Sequence, residues 1–195
     1  MSAFLGPIHF WLYNKIRFQE DLIDALCARA VSEGWLTGED TQKFASTDRR
    51  ELQDAIDESN IHGWLQSRIH DGEGRYAALV TTLLQEDANR LQTLKDVAFY
   101  TGKEKRTEVP TTAPEAFHQL DNTLLNGMPC DQVMKVTESN PDKVVWEETQ
   151  DLHSSFWNGQ GAYYYTLRAE LIKGILADSG LTFKQTDTNR YEIIK

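Results

Sequence analysis

The spacing of apolar residues changes near Cys130, and this change limits the folds open to the chain. Before Cys130, apolar residues recur every three or four positions, which is the period of an amphipathic α-helix. After it, the segments 132–138 and 143–149 are rich in residues that favour strands. The sequence therefore predicts an α+β protein, with an N-terminal helical layer of three to four helices and a small antiparallel sheet in the C-terminal half.

Helix ends can be predicted from capping and breaking residues. A first helix is predicted over residues 8 to about 32, between Pro7 and Gly34. Asp48 and Glu51 form an acidic variant of a capping box, which predicts a second helix that continues to His70.

The segment 71–74, Asp-Gly-Glu-Gly, is interpreted as a turn, and a third helix is predicted from Tyr76 to about Phe99. A second capping box, at Thr112 and Glu115, predicts a short helix that ends by Gly127.

Two hairpins and one helix are predicted in the C-terminal half. The first hairpin pairs 132–138 with 143–149, and the second pairs 181–183 with 191–193. A helix over 162–177 separates them.

The polar stretch 101–112 is a candidate linker. It divides a helical region (1–100) from an α+β region (113–195), with one continuous domain as the alternative.

Charge and cysteine content exclude several classes of protein. Thirty acidic residues against 20 basic ones, a net charge of −10, argue against a nucleic-acid surface. No apolar run reaches the roughly 18 residues that a membrane span needs, and no signal peptide is apparent. Cys27 and Cys130 lack the spacing of a zinc site or a disulfide framework. We therefore expect a cytoplasmic protein with reduced thiols and without nucleic-acid or membrane partners.

Ionisable residues fall on the apolar stripes of predicted helices. His9 and Glu20 lie within about 40° of the stripe of the first helix, and Asp87 lies on that of the third. A buried ionisable group needs partners, so these residues are either satisfied core residues or the walls of a pocket. In the second interpretation Tyr13 and His62 complete a ligand pocket among the N-terminal helices.

Metal binding is the alternative interpretation of the same region. Glu58 and His62, four residues apart, would bind a transition metal such as iron, manganese or zinc with His9 and His118. Glu115 and His118 form an E-x-x-H motif, although the capping box already explains Glu115.

No sequence motif assigns a catalytic residue, so the sequence leaves open whether the protein is an enzyme. His153 adjoins Ser154 and Ser155 without a nucleophile elbow, and a catalytic role for Cys130 needs a histidine from elsewhere in the fold. Several acidic residues that could act in pairs are expected to be solvated: Asp71, Glu73, Glu147 and Glu148. An aromatic cluster predicts either a shared core or an aromatic-lined pocket or dimer surface: Trp146, Phe156, Trp157, Tyr163, Tyr164 and Tyr165.

Two segments carry resemblances. The segment FLGPIHFWLYNKI, from Phe4 to Ile16, resembles the opening of uncharacterised bacterial proteins, which implies no activity. About residues 130–195 are similar in outline to small-ligand sensor domains of the vinyl-reductase and haem-NO-binding families. The similarity lies in the order of the segments: a hairpin, an aromatic helix that ends in IKGIL, then GLTF and finally YEI. The signature cysteines of the vinyl-reductase type are missing from this tail, and no family site residue is carried over.

The sequence thus predicts a non-catalytic protein that binds or senses a small ligand. The alternative is a metalloprotein with possible hydrolytic or redox chemistry. The expected protein partner is a second copy of the chain.

Overall fold

The computed structural model describes residues 4–195, and within them the chain has the predicted α+β architecture. The helices are α1 (Pro7–Ser32), α2 (Leu52–Ala55), α3 (Ile61–Glu86), α4 (Leu91–Lys105), α5 (Ala113–Thr123) and α6 (Ala162–Ile175). The strands are β1 (Met134–Asn140), β2 (Lys143–Glu148), β3 (Thr182–Asp187) and β4 (Arg190–Ile194).

The first helix is confirmed, and so are both of its ends. Pro7 occupies the first turn, where its missing N–H costs no hydrogen bond. Gly34 has a φ of +73°, and this left-handed conformation turns the chain so that the Trp35 N–H donates to the Ala30 carbonyl at 2.8 Å.

The middle of the helical half differs from the prediction, because one helix spans the predicted turn. The predicted helix from Asp48 to His70 is wrong as one continuous helix, although 52–55 and 61–70 are helical. The chain breaks after α2, and a short 3₁₀ turn leads to α3, which Asn60 caps by accepting from the Gly63 N–H at 3.2 Å. The turn at 71–74 is also wrong. Gly72 is buried in α3 beside Gln19 and Glu20 of α1, so its small size serves helix packing.

The predicted third helix, from Tyr76 to about Phe99, is wrong as one continuous helix because the chain breaks at Asp87. The helix α3 ends at Glu86, and the Asp87 carboxylate accepts from the Asn89 N–H at 2.9 Å to start a 3₁₀ turn before α4. This local hydrogen bond competes with a continuous helix. Asp87 is consequently exposed, and its predicted inward position is wrong.

The segment predicted as a linker begins inside a helix. The helix α4 continues to Lys105, and Thr101 and Gly102 are buried. The larger cluster of buried apolar side chains contains residues from both halves of the chain, among them Leu26, Leu83 and Leu167.

Both predicted hairpins are present and form one antiparallel sheet in the order β1-β2-β4-β3. The two inner strands place Trp146 opposite Tyr191 and Val144 opposite Ile193. These four side chains are buried, so this face of the sheet packs on the helices. Phe117 of α5 contacts Trp146 from that side, with ring centroids 5.2 Å apart.

Two glycines bring α4 and α6 into backbone contact. A methyl group at Gly102 would overlap the Leu171 carbonyl, and one at Gly174 would overlap the Phe99 carbonyl. Close packing on α4 thereby sets the position of α6 against the sheet. None of the helices in residues 4–195 combines the length and apolar character required to cross a bilayer.

Candidate functional site

The residues predicted to line an N-terminal pocket are engaged in contacts of the helical layer. His9 is buried, and its Nδ1 accepts a hydrogen bond from the Gly6 N–H at 2.9 Å. The Tyr13 hydroxyl donates to the Arg50 carbonyl at 2.8 Å. Glu20 forms a two-armed ion pair with Arg75, in which NH1 donates to Oε2 at 2.9 Å.

The structure brings together two of the four predicted metal ligands. The rings of His9 and His62 lie 5.6 Å apart between centroids. Glu58 is exposed in the turn before α3, and His118 contacts Asn122 on α5 at 3.1 Å. Across residues 4–195, no group of three or more His, Cys, Asp or Glu side chains is arranged to hold a metal ion.

A cavity of about 240 Å³ lies between α6 and the helix-facing side of the sheet. Arg168 and Ile172 of α6 form part of its wall. It adjoins a wider depression of about 850 Å³ that extends to the 148–151 segment and shares Tyr165, Ala169 and Tyr191 with it. We call these two spaces together the aromatic cleft, after four of the residues that line it: Trp146, Tyr165, Phe183 and Tyr191.

The strand register arranges three of these aromatic rings nearly parallel. Trp146 and Tyr191 are cross-strand partners whose planes differ by 25°, and the Phe183 plane differs from that of Tyr191 by 12°. Cross-strand aromatic pairs of this kind stabilise a sheet and present flat apolar faces. The cleft therefore has walls suited to a planar molecule.

A buried ion pair forms the inner end of the cleft. Arg168 NH1 lies 2.5 Å from Glu148 Oε1, and the two residues are 6% and 5% exposed. The guanidinium also lies 5.7 Å from the centroid of the Tyr191 ring. The Arg168 Nε has no hydrogen-bond partner in the described part of the chain. Arg168 thus lines the cavity with a guanidinium whose Nε is buried and unpaired within residues 4–195.

The charges at this end follow from burial and proximity. Burial by itself lowers the pKa of Arg168, but the Glu148 carboxylate together with Tyr164 and Tyr191 outweighs burial and raises the pKa above the ordinary value. Burial, reinforced by Glu148, raises the pKa of Tyr191 to about 12. At neutral pH the cleft therefore offers a guanidinium cation and a protonated phenol.

A second buried polar chain joins α3, the loop before α6, and α6 itself. His153 Nδ1 lies 3.1 Å from Glu73 Oε1, and the Tyr164 hydroxyl lies 3.0 Å from His153 Nε2. All three residues are buried. Carboxylate, imidazole and hydroxyl follow in the order used by hydrolytic triads, but burial and Glu73 raise the pKa of Tyr164 well above its ordinary value.

The cavities beside these three residues are small. The one beside Tyr164 measures about 30 Å³ and the one beside Glu73 and His153 about 70 Å³. Both are far below the roughly 300 Å³ at which small-ligand pockets begin, so they have room for water and not for a metabolite. We therefore assign the Glu73, His153 and Tyr164 chain to the positioning of α6, on which Arg168 lies one turn further along.

Sequence reasoning missed Glu73, Glu148, His153 and Arg168. Glu73 and Glu148 were expected to be solvated, and they are buried instead. The missed signal is helical spacing. Glu73 lies three residues before the buried Tyr76, and Arg168 lies four residues after the buried Tyr164, so both continue an apolar stripe.

Comparisons with protein-family models, curated proteins and solved structures found no match. The geometry of the cleft consequently carries the functional assignment.

Proposed function

We propose that the protein binds a small, flat, mostly apolar molecule with an oxygen acceptor in the aromatic cleft, without catalysing a reaction on it. The observation that carries the proposal is the buried Arg168, whose Nε is unpaired within residues 4–195, beside the aromatic walls. Apolar walls with a few directed polar groups are typical of small-ligand sites. The proposal keeps the expected class of function but moves the site from the N-terminal helices to α6 and the sheet.

The chemistry of the lining favours binding over catalysis. The described residues that line the cleft include no histidine or cysteine. Its carboxylates already have partners: Glu148 pairs with Arg168, Asp151 accepts from Tyr165, and Glu170 pairs with Lys173. The Glu148 carboxylate holds the Arg168 guanidinium in place and balances its charge. A ligand oxygen can therefore accept from Arg168 without carrying a full negative charge.

The outer part of the cleft limits ligand charge. Glu148, Asp151 and Glu170 contribute carboxylates to its lining. Burial by itself would raise the pKa of Asp151, but hydrogen bonds from Ser154, Tyr165 and the His153 backbone lower it to about 2. These carboxylates repel a polyvalent anion, so we expect a ligand with at most one negative charge.

Three probes of similar size test the proposal: benzamide, benzoate and benzylamine. Binding is measured by titration calorimetry and by quenching of tryptophan fluorescence, since Trp146 lines the cavity. We expect benzamide and benzoate to bind at least about tenfold more tightly than benzylamine, which lacks an oxygen acceptor for Arg168. Equal affinities for the three probes would contradict the proposed role of Arg168.

A filled-cleft variant locates the binding site. Ala169 lines both parts of the cleft, and an Ala169→Phe variant should abolish benzamide binding because the new ring occupies the ligand's place. Ala28→Phe, at an exposed position of α1, is the matched control and should bind as the unmodified protein does. Unchanged binding by the Ala169→Phe variant would place the ligand elsewhere.

Transition-metal binding is a second proposal, favoured by the proximity of His9 and His62. Structural metal sites generally use four protein ligands, so a third and a fourth would have to come from a rearrangement. Metal analysis of protein purified without added metal tests this. A stoichiometric ion that the His62→Ala variant loses would support the metal site, and a metal-free protein that binds benzamide would support the cleft alone.

A further inference from the structure

A buried lysine lies beside a second cavity, formed by α1, α5 and the loop that leads to β1. Lys15 is only 3% exposed, although it lies in the first half of α1. The cavity has a volume of about 230 Å³, and its lining includes Lys15, Asp121, Asn126 and Met134. It shares no lining residue with the aromatic cleft.

The contacts of the Lys15 amine are few and weak. Its Nζ lies 3.9 Å from the centroid of the Trp11 ring and 3.8 Å from Asp121 Oδ1. The second distance is too long for a direct hydrogen bond. Asn126, 8% exposed, has an Oδ1 atom without a donor among the residues described. An amine and an amide oxygen therefore both have unused hydrogen-bonding capacity at this cavity.

The surroundings of Lys15 favour its neutral, nucleophilic form. Burial lowers the pKa of Lys15 to about 8; Asp121 opposes this change, and the positive charge of Arg168 adds to it. At pH 7 about a tenth of Lys15 is neutral, against well under a thousandth of an ordinary lysine. A buried amine with a lowered pKa is the arrangement that enzymes use for imine formation with carbonyl compounds.

We propose that Lys15 is a carbonyl-reactive residue, which holds a small aldehyde or ketone in this cavity as an imine. The Nζ lone pair forms a bond to the carbonyl carbon, while the C=O π pair moves to oxygen, which takes up a proton. The resulting carbinolamine loses water to give a protonated imine. One ammonium group and one carbonyl compound thus give one iminium ion and one water, without an oxidant or reductant.

The neighbours of Lys15 have defined roles in this step. Asp121, whose side chain is 41% exposed, accepts the proton that the ammonium group must lose and returns it to the departing hydroxyl. Asn126 lines the same cavity, and its unpaired Oδ1 accepts a hydrogen bond from the carbinolamine hydroxyl once the side chain turns toward it. Because Asp121 reaches solvent, the released water and protons can leave the cavity.

Reductive trapping tests the proposal. The full chain is incubated at pH 7 with propanal and sodium cyanoborohydride, and the propylated lysines are quantified by peptide mass spectrometry. We expect Lys15 to be labelled at least about tenfold faster than Lys43, whose side chain is 70% exposed and which serves as an internal reference. This ratio should fall as the pH rises above 8, where the neutral fraction of Lys15 approaches its limit. Labelling of Lys15 no faster than Lys43 at pH 7 would overturn the proposal.

A variant at the mouth of the cavity separates cavity binding from simple amine reactivity. Ile8 is 48% exposed and lines the cavity, so Ile8→Trp should obstruct it without disturbing the core. We expect a loss of about tenfold in Lys15 labelling and no change at Lys43. Phe10→Trp, at a 39% exposed position outside the lining, is the matched control. Equal labelling of Lys15 in both variants would refute capture in the cavity.

Discussion

The helices α1 and α6 both direct polar side chains into the protein interior. Apart from Lys15, which borders a cavity of its own, the two helices use these side chains differently. In α1, His9 accepts a hydrogen bond from the Gly6 N–H and Glu20 pairs with Arg75, so both side chains already have partners. In α6, Arg168 pairs with Glu148 but keeps an unpaired Nε within the described chain, and it faces a cavity. An inward polar residue therefore indicates a binding site only where a donor remains unused beside an open volume.

The largest expected effect comes from breaking the ion pair of α6. Arg168→Leu should lower the free energy of unfolding by about 3 to 5 kcal/mol, because it leaves the Glu148 carboxylate buried without a counter-charge. The double variant Arg168→Leu with Glu148→Leu should recover most of this loss, and neither variant should bind benzamide. Urea denaturation followed by circular dichroism measures the stability. A loss below about 1 kcal/mol in the single variant would contradict the buried pair.

The close packing of α6 on α4 can be tested at a glycine, with a glycine of α3 as the control. Gly174→Ala should destabilise the protein by about 3 kcal/mol, because the added methyl group overlaps the Phe99 backbone and forces α4 and α6 apart. Gly74→Ala in α3 is the matched control, since no other group lies near the added methyl. It should stabilise the helix by about 0.5 to 1 kcal/mol. Thermal unfolding of both variants checks these opposite signs, and a neutral Gly174→Ala would rule out the close contact.

Breaking the ion pair between Glu20 of α1 and Arg75 should lower the free energy of unfolding by a smaller amount. Glu20→Gln should cost about 2 kcal/mol, because Arg75 keeps its bond to Asp71 and its side chain is 16% exposed. Benzamide binding should stay unchanged, since Glu20 is outside the aromatic cleft. Urea denaturation and calorimetry on the same preparation measure the two quantities. A loss of binding without a loss of stability would return the ligand site to the N-terminal helices.

The smallest effect is expected at His9. His9→Ala should cost about 1 kcal/mol, the usual value of a lost hydrogen bond at a helix N-terminus. Its ligand affinity should equal that of the unmodified protein. Thermal shift assays with and without benzamide test both statements, and a larger loss confined to the benzamide-bound sample would show that His9 contacts ligand.

Local signals predicted a large part of the fold. The first helix, the Thr112 capping box and both hairpins depend on residues close in sequence, and all are present. The prediction failed at 71–74, where turn-forming residues instead make contacts within α3 and with neighbouring elements. Asp71 and Glu73 bind Arg75 and His153, and Gly72 accommodates α1. These contacts outweigh the local preference for a turn.

The sequence by itself determined the α+β class and most element boundaries, because hydrophobic period, caps and turns act over a few residues. The tertiary structure alone decided which polar residues form a site. Glu73 and His153 meet across 80 positions, and Arg168 of α6 meets Glu148 of β2 where the helix packs near the sheet. Such pairings depend on where distant elements pack, and short-range patterns do not specify that.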